Sequence, residues 1–390
     1  MPSKSSRRNA VAVLGAAGAM GRAAVYRLAR DGRRVRALDA DLSAVRRIVR
    51  RYGGGRATAE TADARDRERL ARQLADVGAV VNCAPYPLNL DVMRAALDAR
   101  CHYVDLGGLF HMTRRQLKLD AAFRRARLLA VLGMGSAPGI TNLMAVLAVR
   151  GLAAQGIRRV ESVLIYNGGV DHTRYEAPMA FGFAPATVID EIVQPAVVFA
   201  GGRFRSVPPL TLAQDHAFPE GTQHVHATLH SEVATLPRAF RDRGLRECAF
   251  FLAHDPVQLE RLRLLIDLGL TDTAPGPRGV APRDVLLDAF RRLPPPPDFV
   301  DDRDCLAVVA SGHEGTRSGA RFVTAVLRLT ATPQRRPPLS AVARDTGFPP
   351  AIVAGMILDG RIRERGVRAP EECVPVRPFF DALGMPFRSS

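Results

Sequence analysis

The chain has no tryptophan, and its 55 basic residues include only two lysines, Lys4 and Lys118. Arginine therefore carries the net charge of +16, dispersed along a chain also rich in alanine, glycine and proline. That dispersion reads as a compositional bias and speaks against a concentrated nucleic-acid-binding face. No apolar run approaches the ~20 residues of a membrane span. The five cysteines (Cys83, Cys101, Cys248, Cys305, Cys373) include no Cys-x-x-Cys pair. Their odd number excludes complete intramolecular pairing, and their scatter gives no zinc signature, so reduced thiols in a cytoplasmic protein are expected. Residues Ser5–Arg8, followed by an apolar stretch, have the outline of an export signal. Glycines interrupt that stretch, and it is needed as a first strand, which argues against removal. No internal repeat is evident. What is present is 390 residues, 47% of them hydrophobic, enough for two globular domains.

The most telling segment is 9–25 (NAVAVLGAAGAMGRAAV). A short apolar run stops at Gly15, Gly18 and Gly21 follow, and a helical pattern begins. This predicts a strand, a tight turn and a helix N-terminus, the combination that cradles a dinucleotide pyrophosphate. Gly15 and Gly18 are separated by two residues rather than the commoner one. The next strand-like run ends at Asp39, close to the spacing of a ribose-binding carboxylate. Such a carboxylate repels a 2′-phosphate and favours NAD, although Arg33, Arg34 and Arg36 nearby leave NADP open. Asp39 could equally end a strand or cap the following helix.

From residue 10 to about 132 strand and helix patterns alternate. Strands are expected at 10–14, 34–39, 57–61, 79–82, 102–106 and 128–132, and helices at 19–30, 42–52, 67–75, 90–100 and 114–125. This predicts an α/β fold, an N-terminal Rossmann doubly wound parallel sheet, over 1–137. Residues 138–337 have longer apolar runs among many prolines and predict an α+β substrate and dimerisation domain with a mostly antiparallel sheet. Residues 294–297, four prolines, read as a stiff connector. The tail, 338–390, reads as helical, with two short helices around Gly347. That outline occurs in helix-turn-helix units, but the second segment is almost wholly apolar, which favours a buried helix pair.

Several segments together resemble the saccharopine dehydrogenase family, including its lysine 6-dehydrogenase branch. They are the glycine turn, 80–86 (VVNCAPY), 103–108 (YVDLGG), 135–142 (GSAPGITN), 265–270 (LIDLGL), 282–287 (PRDVLL) and 366–375 (GVRAPEECVP). The resemblance covers nearly the whole chain. It implies a Rossmann domain, a central catalytic and dimerisation domain, and a C-terminal segment returning to the Rossmann side. It further implies hydride transfer between NAD(P) and a carbon bonded to nitrogen in an amino-acid or amine substrate. Carried over, Gly15, Gly18, Ala19 and Met20 would hold the pyrophosphate and Asp39 the ribose. Asp63 and Ala64 would border the adenine, and Ala84 and Pro85 would run beside the nicotinamide.

Amine oxidation and its reverse need a group that exchanges a proton. Tyr86 and His111 are candidates, and Asp105 could hold a substrate ammonium. Each also has a structural alternative, as a loop-packing ring, a helix-capping residue or a strand-end cap. Thr141 and Asn142, at a helix start, suit a substrate carboxylate, as does Arg238. Histidines cluster at His216, His224, His226 and His230. A pocket-facing role for His226 is expected ahead of a metal site, and no metal is expected. The sequence departs from the family pattern at Phe183–Pro185, Ala253–His254 and Ser231–Glu232, so the substrate is expected to differ from lysine or saccharopine. The expected protein is a homodimer that binds neither nucleic acid nor membrane. A Rossmann-fold carbonyl reductase, or a nucleotide-sensing, DNA-binding regulator, remains an alternative.

Overall fold

The computed structural model describes residues 9–276, 279–314, 321–385 and 387–389; the basic segment at 5–8 lies outside them. The first lobe carries seven parallel strands in the order β3-β2-β1-β4-β5-β6-β17. These are β1 (Ala10–Leu14), β2 (Arg34–Asp39), β3 (Ala57–Thr61), β4 (Ala79–Asn82), β5 (His102–Asp105), β6 (Leu129–Val131) and β17 (Gly366–Arg368). Every residue of β1 and β4 is buried, as central strands covered on both faces require. The strand order reverses between β1 and β4, which opens a crevice at their carboxyl ends. Helices α1 (Ala19–Arg30), α2 (Leu42–Tyr52), α3 (Arg67–Leu74), α4 (Asn89–Asp98), α5 (Leu109–Leu117) and α6 (Asp120–Arg125) connect the strands. The single helix expected over 114–125 is thus two, and α5 starts directly after the Gly107–Gly108 turn.

α7 (Ile140–Ala154) leads into the second lobe, whose main sheet runs β10-β11-β12-β7-β13-β14-β18, with β8 paired to β12 and β9 to β8. Its strands are β7 (Arg159–Asp171), β8 (Ala196–Ala200), β9 (Arg203–Val207), β10 (Ala213–Phe218), β11 (Gly221–Ala227), β12 (Glu247–Ala253), β13 (Asp302–Glu314), β14 (Arg321–Ala331) and β18 (Phe387–Ser389). The β7–β12 pair is parallel and the other pairs are antiparallel. Helices α8 (Pro185–Val193), α9 (Glu232–Ala239), α10 (Pro256–Asp267) and α11 (Pro282–Arg291) belong to this lobe. α8, α10 and α11 share a small apolar core of Ile189, Ile192, Leu259, Leu262 and Leu286. A short hairpin, β15 (Gln334–Arg335) with β16 (Pro338–Leu339), precedes the tail.

The tail corrects the expectation of two short helices. It holds one 18-residue helix, α12 (Ala341–Leu358), that runs through Gly347, Pro349 and Pro350. α12 packs on α1. A Cβ at Gly347 would stand 2.5 Å from the Met20 carbonyl oxygen and 2.7 Å from the Ala23 Cβ. Gly347 is therefore a close-approach residue rather than a turn, and burial along α12 overrides the helix-breaking signals. No helix-turn-helix forms in this segment. α13 (Pro370–Cys373) and α14 (Val376–Leu383) follow, and the chain ends by placing β18 on β14 of the second sheet.

Candidate active site

The crevice at the carboxyl ends of β1, β2 and β4 is shaped by glycines. Gly15 has φ +75°, and a Cβ there would lie 2.6 Å from the Cys83 carbonyl oxygen. At Gly21 a Cβ would lie 2.1 Å from the Gly15 carbonyl oxygen, so the turn and α1 touch backbone to backbone. Beside Gly18 the nearest atom would be 3.4 Å away, leaving the outer face of the turn open. α1 has no side-chain N-cap, so its first turn presents free N–H groups from Ala19 and Met20. Asp39 accepts hydrogen bonds from the Ala17 N–H (3.0 Å) and the Asp41 N–H (3.3 Å), which fixes its carboxylate at the edge of the turn. The Ala62 N–H donates to the Asp39 carbonyl oxygen and brings exposed Asp63 and buried Ala64 alongside. Ala84 and Pro85 follow Cys83 at the opposite wall, the Ala84 N–H bonding Asn82 Oδ1 at 3.2 Å. These residues fit a dinucleotide: an open anion-binding helix start, a backbone surface without side chains and a carboxylate at the ribose position. Of the arginines near β2, Arg33 pairs with Asp359, and Arg36 pairs with Glu60 and Asp76.

Asp105 is placed differently from its expected role. It is fully buried, and its carboxylate accepts from the Gly133 N–H (2.6 Å), the Gly107 N–H (3.1 Å), Gln116 Nε2 (2.6 Å), Tyr103 Oη (2.9 Å) and Asn89 Nδ2 (3.2 Å). Burial pushes its pKa up, with those hydrogen bonds holding it back. Asp105 thus ties the β5 turn to the start of the inter-lobe turn, and its oxygens are committed to protein donors rather than to a substrate ammonium. Leu109, just beyond, has φ +52°, a strained value for a branched residue. The turn is held there by the Gly108 N–H bonding Ser231 Oγ at 3.2 Å across the lobes.

Ser231 stands in sequence between two buried ionisable groups, His230 and Glu232. His230 Nδ1 makes a short hydrogen bond to Glu232 Oε2, and the His230 ring stacks on Phe250 with centroids 3.7 Å apart. Burial lowers the imidazole pKa, but the Glu232 charge and hydrogen bond, with Glu191 adding to them, raise it above its ordinary value overall. Glu232 Oε1 accepts from Thr141 Oγ1 (2.8 Å). Asn142 Oδ1 accepts from the Gly139 N–H (2.9 Å), and its Nδ2 donates to Glu371 Oε2 (2.8 Å). Thr141 and Asn142 therefore orient buried carboxylates instead of offering donors to a substrate carboxylate.

Tyr86 donates to Asp190 Oδ2 at 2.8 Å, and Arg283 pairs with Asp190 Oδ1 at 2.7 Å. Burial and Asp190 push the phenol up to about 12, and its hydrogen bond to Asp190 joins the lobes. His111 is exposed on α5, packed edge-on to Phe110. Arg238 is 63% exposed and lies 3.6 Å from Glu372, so it is directed to the tail and not to the crevice. His226 is buried on β11, its Nδ1 without a partner, 6.1 Å ring to ring from His254. Among the described residues no group of three or more His, Cys, Asp or Glu could hold a metal ion.

Three of the residues that depart from the family pattern meet in space, whereas Ser231 and Glu232 lie outside that group. Phe183, Ala253 and His254 line one cavity together with Glu191. Glu191 is the residue that sequence reasoning missed. Burial pushes its pKa up to about 7, with His230 opposing and Asp190 and Glu232 adding to the rise. A signal was available: Asp190 and Glu191 sit inside an otherwise apolar helical run, where charged residues need a reason. The His230–Glu232 pairing was likewise hidden, because the sequence showed His230 only as one of four clustered histidines.

Residues 11–131 match the family model for the saccharopine dehydrogenase NADP binding domain, and residues 135–385 match that for the saccharopine dehydrogenase C-terminal domain. A carboxynorspermidine synthase of Vibrio cholerae serotype O1 is 24% identical over 83% of this chain and 80% of its own length. A carboxyaminopropylagmatine dehydrogenase of Synechocystis is 24% identical over 80% of this chain and 79% of its own length. Among solved structures, the apo saccharopine dehydrogenase (L-Glu forming) of Saccharomyces cerevisiae superposes with a TM-score of 0.73. It is 18% identical, over 98% of this chain and 99% of that one.

Proposed function

The chain belongs to the saccharopine dehydrogenase family of NAD(P)-binding oxidoreductases, and from that premise we propose that it transfers hydride to or from a carbon bonded to nitrogen in an amino-acid-derived amine. The saccharopine reductase pattern, in which an aldehyde and an amine are joined and reduced, is favoured over lysine 6-dehydrogenase chemistry. Its support is that two relatives carry names describing carboxyalkyl polyamines or agmatines. The observation that carries the reading is the His230–Glu232 pair, buried next to Ser231, which bonds the Gly108 N–H in the turn after β5.

Bound in the crevice, the nicotinamide supplies or accepts the hydride. Gly15, Gly18, Ala19 and Met20 would hold the pyrophosphate, and Asp39 would take the ribose hydroxyls. With Arg33 and Arg36 committed to carboxylates, NAD is preferred over NADP. Glu232 orients His230 through Nδ1, which leaves Nε2 to give or take the proton as the substrate nitrogen changes its bonding. The buried walls exclude water from the imine. The protein acts in the cytoplasm, supported by five free cysteines, and as a homodimer.

Oxidation of NADH in the presence of paired aldehydes and amines tests the reaction. Turnover with a C–N product is expected; failure to bind either nicotinamide coenzyme would overturn it. Asp39→Ala should weaken NADH about tenfold, ~1.4 kcal/mol, while sparing NADPH; an unchanged preference in paired titrations would place the ribose contact elsewhere.

A further inference from the structure

The cavity lined by Phe183, Ala253 and His254 offers polar atoms that lack hydrogen-bond partners. It measures about 200 Å³. Phe181, Phe183 and Leu259 form apolar walls, and Glu191, His254 and Gln258 supply the polar groups. Glu191 Oε2, His254 Nε2 and Gln258 Oε1 are each removed from solvent and have no hydrogen-bond partner. A carboxylate oxygen and an amide oxygen can only accept. Leaving such atoms unpaired in a protein interior is costly, most of all when one belongs to a carboxylate. The neighbouring Asp190 is satisfied by Arg283 and Tyr86, whereas Glu191 Oε2 is not.

The missing partner can be described by its chemistry. An anion would meet the Glu191 carboxylate. An uncharged alkyl group would fill the volume and leave two acceptor oxygens and the His254 ring nitrogen bare. A group with several N–H donors and a positive charge satisfies the acceptors, and its carbon stem packs on the phenylalanine rings, whose faces attract cations. A water occupies about 30 Å³ in the liquid, so the space takes a head group with several non-hydrogen atoms. Asp255 lines the cavity as well; the charges acting on Glu191 are Asp190, Glu232 and His230, and those acting on His254 are His226 and Arg263. Glu191 is the buried carboxylate that lines the cavity, and it lies within electrostatic reach of His230 and Glu232, which flank Ser231, the residue bonded to the Gly108 N–H.

We infer that this cavity receives the ammonium or guanidinium end of the substrate, remote from the carbon that exchanges hydride. The assignment of that cation to the substrate rests on the function proposed above; the binding chemistry of the cavity does not.

Isothermal titration of the full chain with 1,3-diaminopropane, agmatine and uncharged 1,4-butanediol, with and without NADH, tests this. At least one cation should bind and butanediol should not, and the tighter cation distinguishes ammonium from guanidinium. Glu191→Gln should weaken the cation at least tenfold, Gln258→Glu should strengthen it several-fold, and both should leave NADH affinity unchanged. Equal binding of butanediol, or cation affinity unaltered in both variants, overturns the inference. So does NADH binding without binding of either cation, and that result leaves the oxidoreductase reading standing. Cation binding without affinity for NADH or NADPH would uphold the cavity and remove the hydride reading.

Discussion

The two lobes present different kinds of polar group. In the first, backbone supplies them: a glycine turn, a bare helix start, and one carboxylate held by N–H groups. In the second, buried side chains supply them: His230 on Glu232, Glu371 on Asn142, and Glu191 with an unpaired oxygen. A backbone site tolerates neighbouring side chains of many kinds but no Cβ at its contact points. A side-chain site tolerates backbone variation but depends on a few ionisable groups whose surroundings set their charge. Damage to the first lobe should therefore appear as lost folding or coenzyme affinity, and damage to the second as lost turnover or altered pH response.

The sharpest test is His230→Gln, which keeps the ring's volume roughly and removes its proton exchange. A loss of 10²- to 10⁴-fold in kcat is expected, about 3–5 kcal/mol, with NADH affinity unchanged. Stopped-flow turnover and a fluorescence titration separate the two, and a parallel loss of coenzyme binding would erase the division between lobes. Gly21→Ala probes the other side. Its Cβ meets the Gly15 carbonyl oxygen, so about 3 kcal/mol of stability should go, with coenzyme affinity following. Unchanged melting and binding would mean the turn can open.

Glu191→Gln addresses pH. The carboxyl pKa is raised from 4.5 to about 7 in the fold, so the folded state holds a proton that the unfolded state has lost between those values. Wild-type stability from this group is full below pH 4.5 and is lost as pH rises through about 7. The variant should match wild type at acid pH and exceed it above neutrality by about 3 kcal/mol, with His230, Asp190 and Glu232 as the charges that modulate the difference. Chemical denaturation across that range checks it, and parallel curves would show that Glu191 is solvated. Arg238→Ala should change least, under about 0.5 kcal/mol and with no shift in substrate KM, because the side chain is mostly exposed and faces Glu372. A raised KM would return Arg238 to the substrate site.

What the sequence made legible follows the same division. Gly15, Gly18, Gly21 and Asp39 were readable because their spacing is local and their task is geometric. β1 through β5 were readable because buried parallel strands alternating with amphipathic helices have a distinct period. α12 was not, since Gly347 and Pro349–Pro350 carry the local marks of a turn, and only contact with Met20 and Ala23 explains the glycine. Asp105 was located in the crevice, but its five donors come from four separate segments, so its buried, committed state could not be read from residue type. Glu191 and His230 lie far apart in sequence and become one electrostatic unit only when α8 and the end of β11 meet.

The strand β17, Gly366–Arg368, closes one edge of a sheet whose other strands are complete by Val131. During synthesis, more than two hundred residues must leave the ribosome after β6 before its hydrogen-bonding edge is covered. The nascent chain therefore exposes a bare strand throughout that interval, which makes β6 the place where a chaperone would bind or a neighbouring nascent chain would pair by mistake.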